Sequence, residues 1–298
     1  MSNQSKGFLF IVTAASLWGL SGTVAKLLTN QAVNPFVLVE IRLMSSALLL
    51  GIFLAISRRD LLVIDRRDIG YFIRLGIFGI GGVQYAYFFT ISQTNVATAV
   101  FLQYISPVLV ALYAVIFQKE RLCTKQISAL LLAIGGSYLM VFSRGLAVTP
   151  IGLVSGLASA VFLSTYTIYS KRGLRVYSPW TIMFYCFIVG AVMGAFIVPP
   201  WRFPAETFST GNLFFFGYIA ILGTIVPFGC FFNGLRWLKP TKAGITATME
   251  PVVAALSAFI ILNERLSYAQ VTGAGCVLLA VILLQFKRQS HLTEQPAK

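Results

Sequence analysis

Pro107-Val108 opens an apolar run that ends in Lys119-Glu120-Arg121-Leu122, and Pro251-Val252 opens another that ends in Asn263-Glu264-Arg265-Leu266. The two prolines stand 144 residues apart, and so do the two glutamates. The same offset carries Asn34-Pro35 onto Ser178-Pro179. One spacing that recurs at three separated places marks an internal duplication. The chain reads as two homologous halves, 1–145 and 146–290, with a short polar tail at 291–298.

The solvent around these halves is lipid. Only 11 % of residues are charged and the mean hydropathy is +0.82, where a soluble domain carries roughly 25 % charge. A membrane-spanning helix needs about 20 mostly apolar residues. Ten runs meet that need: 8–28, 36–57, 69–91, 96–117, 127–143, 151–169, 180–198, 213–235, 243–262 and 268–286. The first is too long for the core of a signal peptide and is expected to stay as a helix. Turn-forming separators such as Asn34-Pro35, Pro199-Pro200 and Lys239-Pro240-Thr241 divide the runs, and no separator could hold a soluble domain. The expected fold is all-α: a polytopic bundle of ten transmembrane helices.

The net charge of +14 belongs to the membrane and not to a nucleic acid. With the N-terminus in the cytoplasm, 17 Lys and Arg fall in the cytoplasmic segments and 3 (Arg144, Arg202 and Arg265) in the outer loops. The positive-inside rule then puts both termini in the cytoplasm of a plasma or inner membrane. Five helices per half is an odd number, so the halves enter the bilayer in opposite senses. Inverted repeats are the sequence mark of alternating-access carriers, whose sites lie near the midplane between the repeats.

Several blocks in this order resemble the EamA family of the drug/metabolite transporter superfamily. They are Ala15-x-x-Trp18-Gly19 with Lys26, Arg42 in the second helix, Thr98…Pro107…Glu120-Arg121-Leu122, and Glu250-Pro251…Glu264-Arg265-Leu266. The resemblance covers nearly the whole chain. It implies two inverted five-helix repeats around a central cavity, and transport of small metabolites, in some members amino acids. One departure is visible: Ser106 precedes the first proline where Glu250 precedes the second.

A charge inside a membrane costs roughly 2.5–3.5 kcal/mol at the helix centre, so each one needs a reason. Glu250 lies eight residues past Lys242, about 12 Å along a helix and too deep for a short side chain to reach water. It is a candidate to bind a cationic group or a proton. Arg42, about 10 Å below Pro35, is the candidate anion partner; a guanidinium that snorkels outward is the structural alternative. A carboxylate and a guanidinium in one cavity suit a zwitterion such as an amino acid. Glu40 sits about 200° round the helix from Arg42 and is expected to pair structurally with Lys26. Pro107 and Pro251 are expected to kink their helices and open backbone polar groups to the cavity. Trp18, Gln84, Tyr85, Tyr87, Gln103, Tyr104, Tyr166 and Asn233 are further cavity candidates, each also able to serve as interhelical glue. Gly152-x-x-x-Gly156 and Gly190-x-x-x-Gly194 are close-packing signals.

Other chemistries lack their residues. There is no P-loop motif for ATP hydrolysis. The single histidine, His291, lies in the tail, and Cys123, Cys186, Cys230 and Cys276 have neither zinc nor CxxC spacing. No cofactor, metal or enzymatic activity is expected. The partners are a small-molecule substrate and the bilayer, with a gradient of substrate, proton or ion as driving force. The reading is a secondary transporter, an exporter of small organic metabolites. A broad drug extruder is the rival within transport, and a membrane sensor or scaffold the rival outside it.

Overall fold

The computed structural model describes residues 3–30, 34–94, 96–142, 149–208, 210–262 and 265–285, without the side chains of 25–30, 96–97, 141–142, 205–206, 210–211 and 262. Helix α1 is Asn3–Asn30 and α2 is Pro35–Ser57. Helix α3 joins Ile69–Leu75, a π-turn at Gly76–Gly81, and Gly82–Gln93. Helix α4 is broken into Val96–Gln103 and Ser106–Ile116, and α5 is Thr124–Phe142. The second half repeats the plan. Helix α6 is Pro150–Gly173 and α7 is Pro179–Ile197. Helix α8 joins Thr210–Ala220, a π-turn at Ile221–Ile225, and Val226–Trp237. Helix α9 is broken into Pro240–Ala247 and Met249–Leu262, and α10 is Tyr268–Gln285. Among the described residues nine of these helices are long and apolar enough to cross a membrane. The tenth, α5, lies along α10.

The offset seen in the sequence governs local structure in places the sequence did not mark. Asn34 caps α2 by accepting from the Phe36 N–H at 2.8 Å, and Ser178 caps α7 by accepting from the Trp180 N–H at 3.4 Å. Gln126 Oε1 accepts from the Cys123 N–H at the start of α5, and Gln270 Oε1 accepts from the Ser267 N–H at the start of α10, both at 2.9 Å. Those pairs also stand 144 residues apart. The π-turns of α3 and α8 coincide under the same shift, with Gly79 on Gly223.

The breaks in α4 and α9 have a plain cause. A proline ring clashes with the carbonyl four residues back and offers that carbonyl no N–H. The first segment of α4 ends at Gln103, four before Pro107, and the first segment of α9 ends at Ala247, four before Pro251. The runs 96–117 and 243–262, in which kinks at Pro107 and Pro251 are expected, are each helices of two pieces.

The halves interlock. Helix α1 packs on α8 and α9 of the other half, while α6 packs on α3 and α4. Helices α2 and α7 face each other, and each also touches the other half's π-turn. At the α5–α10 contact, a Cβ on Gly136 would lie 2.6 Å from the Gly273 carbonyl oxygen, so only glycine permits the approach. One end of α8 is closed by Lys171 of α6. Its ammonium donates to the carbonyls of Leu235, Arg236 and Leu238, groups that a helix end leaves without partners. Large apolar side chains such as Ile56, Phe196 and Ile260 point outward. In water they would form an aggregation-prone surface; in a bilayer they meet acyl chains.

Candidate functional site

The site is built where broken helices expose backbone. Pro227 of α8 cannot donate to the carbonyl of Gly223, and the π-turn widens the helix there. Thr224 Oγ1 follows the wider register by donating to the Ile219 carbonyl, five residues back, at 2.8 Å. Arg42 of α2 takes the opened positions. Its Nη2 donates to the Gly223 carbonyl at 2.9 Å, and its Nε donates to Thr224 Oγ1 at 2.6 Å. One turn on, Ser46 Oγ donates to the Ala220 carbonyl at 3.2 Å. Arg42 therefore does not snorkel to the surface. Thr224, Gly223 and Pro227 were missed in the sequence, although a proline four residues past a glycine in an apolar run was a usable signal.

Glu250 sits in the first turn of the second α9 segment, where the helix N-terminus favours negative charge. The hydroxyl of Tyr104, at the break in α4, hydrogen-bonds its carboxyl. Tyr87 of α3 and Arg42 of α2 both lie within electrostatic range of it. The two proline breaks thus meet: one supplies Tyr104, the other Glu250. Arg42 and Glu250 lie within electrostatic range of each other, while Nε and Nη2 of the guanidinium are engaged by Thr224 and Gly223.

Helix α1 forms the common wall. A Cβ on Gly19 would stand 2.7 Å from the Glu250 carbonyl oxygen and 2.8 Å from the Ala254 nitrogen, so α1 and α9 touch backbone to backbone at the site. Two residues on, Ser21 Oγ fills the space beside Gly223. Further along, Thr23 and Ser257 hydroxyls bond α1 to α9 at 2.6 Å.

Trp18, the residue before Gly19, belongs to an aromatic wall between α1, α6 and α8. Trp18 meets Phe228 edge-on at 5.0 Å and Phe231 at 5.5 Å, and Tyr166 stacks on Phe231 at 6.2 Å. Trp18 Nε1, Gln84 Nε2 and Tyr166 Oη are buried without a hydrogen-bond partner. A buried donor left unpaired costs about 1–3 kcal/mol, and two of these, Trp18 Nε1 and Tyr166 Oη, belong to rings that share Phe228 and Phe231.

The remaining candidates separate from this group. Tyr85 donates to Glu40 Oε2 at 2.5 Å, on the face of α2 opposite Arg42. The expected partner of Glu40, Lys26, has a side chain outside the described residues. Asn233 Nδ2 donates to the Gly229 carbonyl of its own helix at 2.8 Å. Gln103 is half-buried at the end of the first α4 segment, where Pro107 leaves its carbonyl free. Among the described residues no group of three His, Cys, Asp or Glu side chains could hold a metal ion.

Comparison with known proteins agrees with this architecture. A model of the EamA-like transporter family matches residues 5–142 and again 150–286. An uncharacterized inner membrane transporter, YicL, of Salmonella typhimurium is 26 % identical over 292 residues, covering 95 % of this chain and 96 % of the relative. An uncharacterized transporter of Archaeoglobus fulgidus is 29 % identical over 265 residues, covering 89 % of this chain and 92 % of the relative. A solved crystal structure superposes with a TM-score of 0.81 at 20 % identity, covering 94 % of this chain and 96 % of that one, and shares the fold.

Proposed function

The chain belongs to the EamA-like transporter family, and we propose that this transporter exports a small organic zwitterion, an amino acid or a close relative, by alternating access. The observation that carries the reading is the placement of Arg42 and Glu250. They come from opposite halves and lie within electrostatic range of one another, and each is held by other groups. A substrate carboxylate would draw Arg42 from the Gly223 carbonyl, and a substrate ammonium would take Glu250 beside Tyr104. The aromatic wall and its unpaired donors would hold the rest of the ligand. Because Arg42 bridges to α8 and Glu250 lies on α9, ligand binding would act on both halves at once, as a carrier between inverted repeats needs. The positive-inside count supports a plasma or inner membrane with both termini in the cytoplasm.

The test is uptake and efflux of a labelled amino-acid panel in proteoliposomes, with Glu250→Gln and Arg42→Gln beside the wild type. The expected result is flux of at least one member, lost in both variants. The aromatic wall favours a second reading, extrusion of bulky apolar compounds. Flux of lipophilic cations that survives Arg42→Gln, with no amino-acid flux, would replace the first reading with the second.

A further inference from the structure

Among the described residues, Glu40 is the one fully buried carboxyl that the site above does not use. Its relative exposure is 0 %. Its Oε2 accepts from Tyr85 Oη at 2.5 Å, and its Oε1 has no hydrogen-bond partner. The pocket is shaped for this pair: a Cβ on Gly194 of α7 would fall on both Glu40 Oε2 and Tyr85 Oη. The elements around it bring no described cation. Helix α3 presents Tyr85 and α7 presents Gly194, while Arg42, on the same helix as Glu40, is turned away to α8. The other basic residues of this end are Lys26 of α1, whose side chain lies outside the described residues, and Arg144, Arg202 and Arg265 of the outer loops; Glu250 is held with Tyr104.

The duplication supplies a control. Under the 144-residue offset Glu40 corresponds to Phe184, Tyr85 to Gly229 and Gly194 to Leu50. At that mated place Phe184 packs its ring on Gly51. The fold fills the position with an apolar ring in one half, so a carboxyl there is no requirement of packing. An ionised carboxylate with one neutral partner in a fully buried pocket is costly, and proteins answer such a cost by pairing or by protonation. Ionisable groups inside a bilayer mark ion and proton pathways.

We propose that Glu40 and Tyr85 form a proton-binding site of this carrier, separate from Arg42 and Glu250. When α2, α3 and α7 are closed together, the Glu40 carboxyl holds a proton and Tyr85 orients it. When α2 and α7 part, water enters beside Gly194. The O–H bond of Glu40 then breaks, water takes the proton as hydronium, and the carboxylate left behind is solvated. Reclosure requires that a hydronium ion return a proton to the carboxylate. The proposal rests on the chain's being a carrier and does not depend on the identity of its substrate.

Infrared difference spectroscopy on the full chain in lipid, at neutral pH in H₂O and D₂O, reads the proton directly and needs no substrate. The expected result is a deuteration-sensitive carbonyl band of a neutral carboxylic acid that is absent in Glu40→Gln and shifted in Tyr85→Phe. A spectrum with no band lost in Glu40→Gln overturns the proposal, as would an ionised Glu40 paired with Lys26. Should Glu40→Gln fail to fold, the Tyr85→Phe shift decides alone. In vesicles that exchange a panel amino acid, Glu40→Gln is expected to keep exchange and to lose at least tenfold in accumulation driven by a pH gradient. Accumulation unchanged in Glu40→Gln overturns the coupling. Loss of exchange in Glu250→Gln with the Glu40 band intact would leave the two sites distinct.

Discussion

Helices α2 and α7 begin alike and diverge within two turns. Each starts at a proline behind a side-chain cap, and each lies against the other half's π-turn. At mated positions α2 carries Glu40, Arg42 and Ser46, whereas α7 carries Phe184, Cys186 and Gly190. The π-turn that α2 faces contains Gly223 and Thr224 and is followed by Pro227; the one that α7 faces contains Gly79 and Ile80 and is followed by Val83. The first contact is therefore polar, with Arg42 donating to the freed Gly223 carbonyl and Ser46 to the Ala220 carbonyl, and the second is apolar, with Val189 packed on Gly76. Duplication kept the skeleton and its backbone defects. Point substitution then made one defect a polar site and left the other as a packing joint.

The sharpest way to break this comparison is to exchange the two chemistries. Cys186 is fully buried in an apolar cluster. Cys186→Arg would place a guanidinium where no freed carbonyl is aimed at it, at a cost above about 3 kcal/mol. The expected outcome is loss of the monodisperse folded protein in size-exclusion analysis. A well-folded Cys186→Arg would show that the halves are chemically interchangeable and that Arg42 is not special to its site.

Removing Arg42 from its own site tests the polar contact. Arg42→Lys keeps the charge and loses the fork that reaches both Thr224 and Gly223. Hydrogen bonds to charged groups contribute about 1.5–3 kcal/mol, so transport should fall roughly tenfold to a hundredfold with folding retained. Pro227→Ala should act on the same contact from the other side, since its new N–H can take the Gly223 carbonyl from Arg42. Measured rates that change in Arg42→Lys but not in Pro227→Ala would mean that the guanidinium matters and its latch to the π-turn does not.

These residues also show what the sequence could reveal. The repeat, the helix count and the proline breaks were legible because each rests on local rules: period, length and the missing N–H of proline. Glu250 and Arg42 stood out because charge in an apolar run is conspicuous. The partner of Arg42 was not legible, since Thr224 is 182 residues away and only the interlocked packing of α2 on α8 brings it close. The contact of Glu40 with Tyr85 was not legible for a related reason: Tyr85 is a neutral donor on α3 that no charge pattern marks, while the expected Lys26 lies outside the described side chains. The π-turns had no marker in composition, because a π-turn differs from α-helix by one residue of register rather than by residue type.

Helix α1 offers a gentler test of the same asymmetry. Gly19 touches the backbone of α9 at Glu250, whereas its mate on α6 is Leu163, a side chain packed on the core. Gly19→Ala would press a methyl group on the Glu250 carbonyl oxygen and the Ala254 nitrogen, atoms of a helix backbone that yields little. Overpacking of this kind costs about 1–3 kcal/mol. Thermal unfolding in detergent should show the loss, and the substrate affinity of the surviving protein should fall because Glu250 moves with its helix. Stability lost with affinity intact would separate the α1–α9 seam from the binding site.

The smallest expected effect lies in the loops that first revealed the repeat. Glu120 accepts from Lys239 Nζ at 2.9 Å, joining the α4–α5 loop of one half to the α8–α9 loop of the other. The lysine side chain is 63 % exposed and the carboxyl 12 %, so solvent screens the pair. An exposed ion pair is worth about 0.2–1 kcal/mol. Glu120→Gln should therefore lower stability by less than about 1 kcal/mol, an effect that fades with added salt. Transport carries a different message. The pair links the two halves at one end of the bundle, so opening that end must break it, and weakening it should shift the balance toward the open form without touching ligand contacts. Flux changed several-fold by Glu120→Gln, with stability nearly unchanged, would assign the repeated Glu-Arg-Leu motif of the first half to gating. Flux and stability both unchanged would make it a remnant of the duplication, kept by the turn it forms.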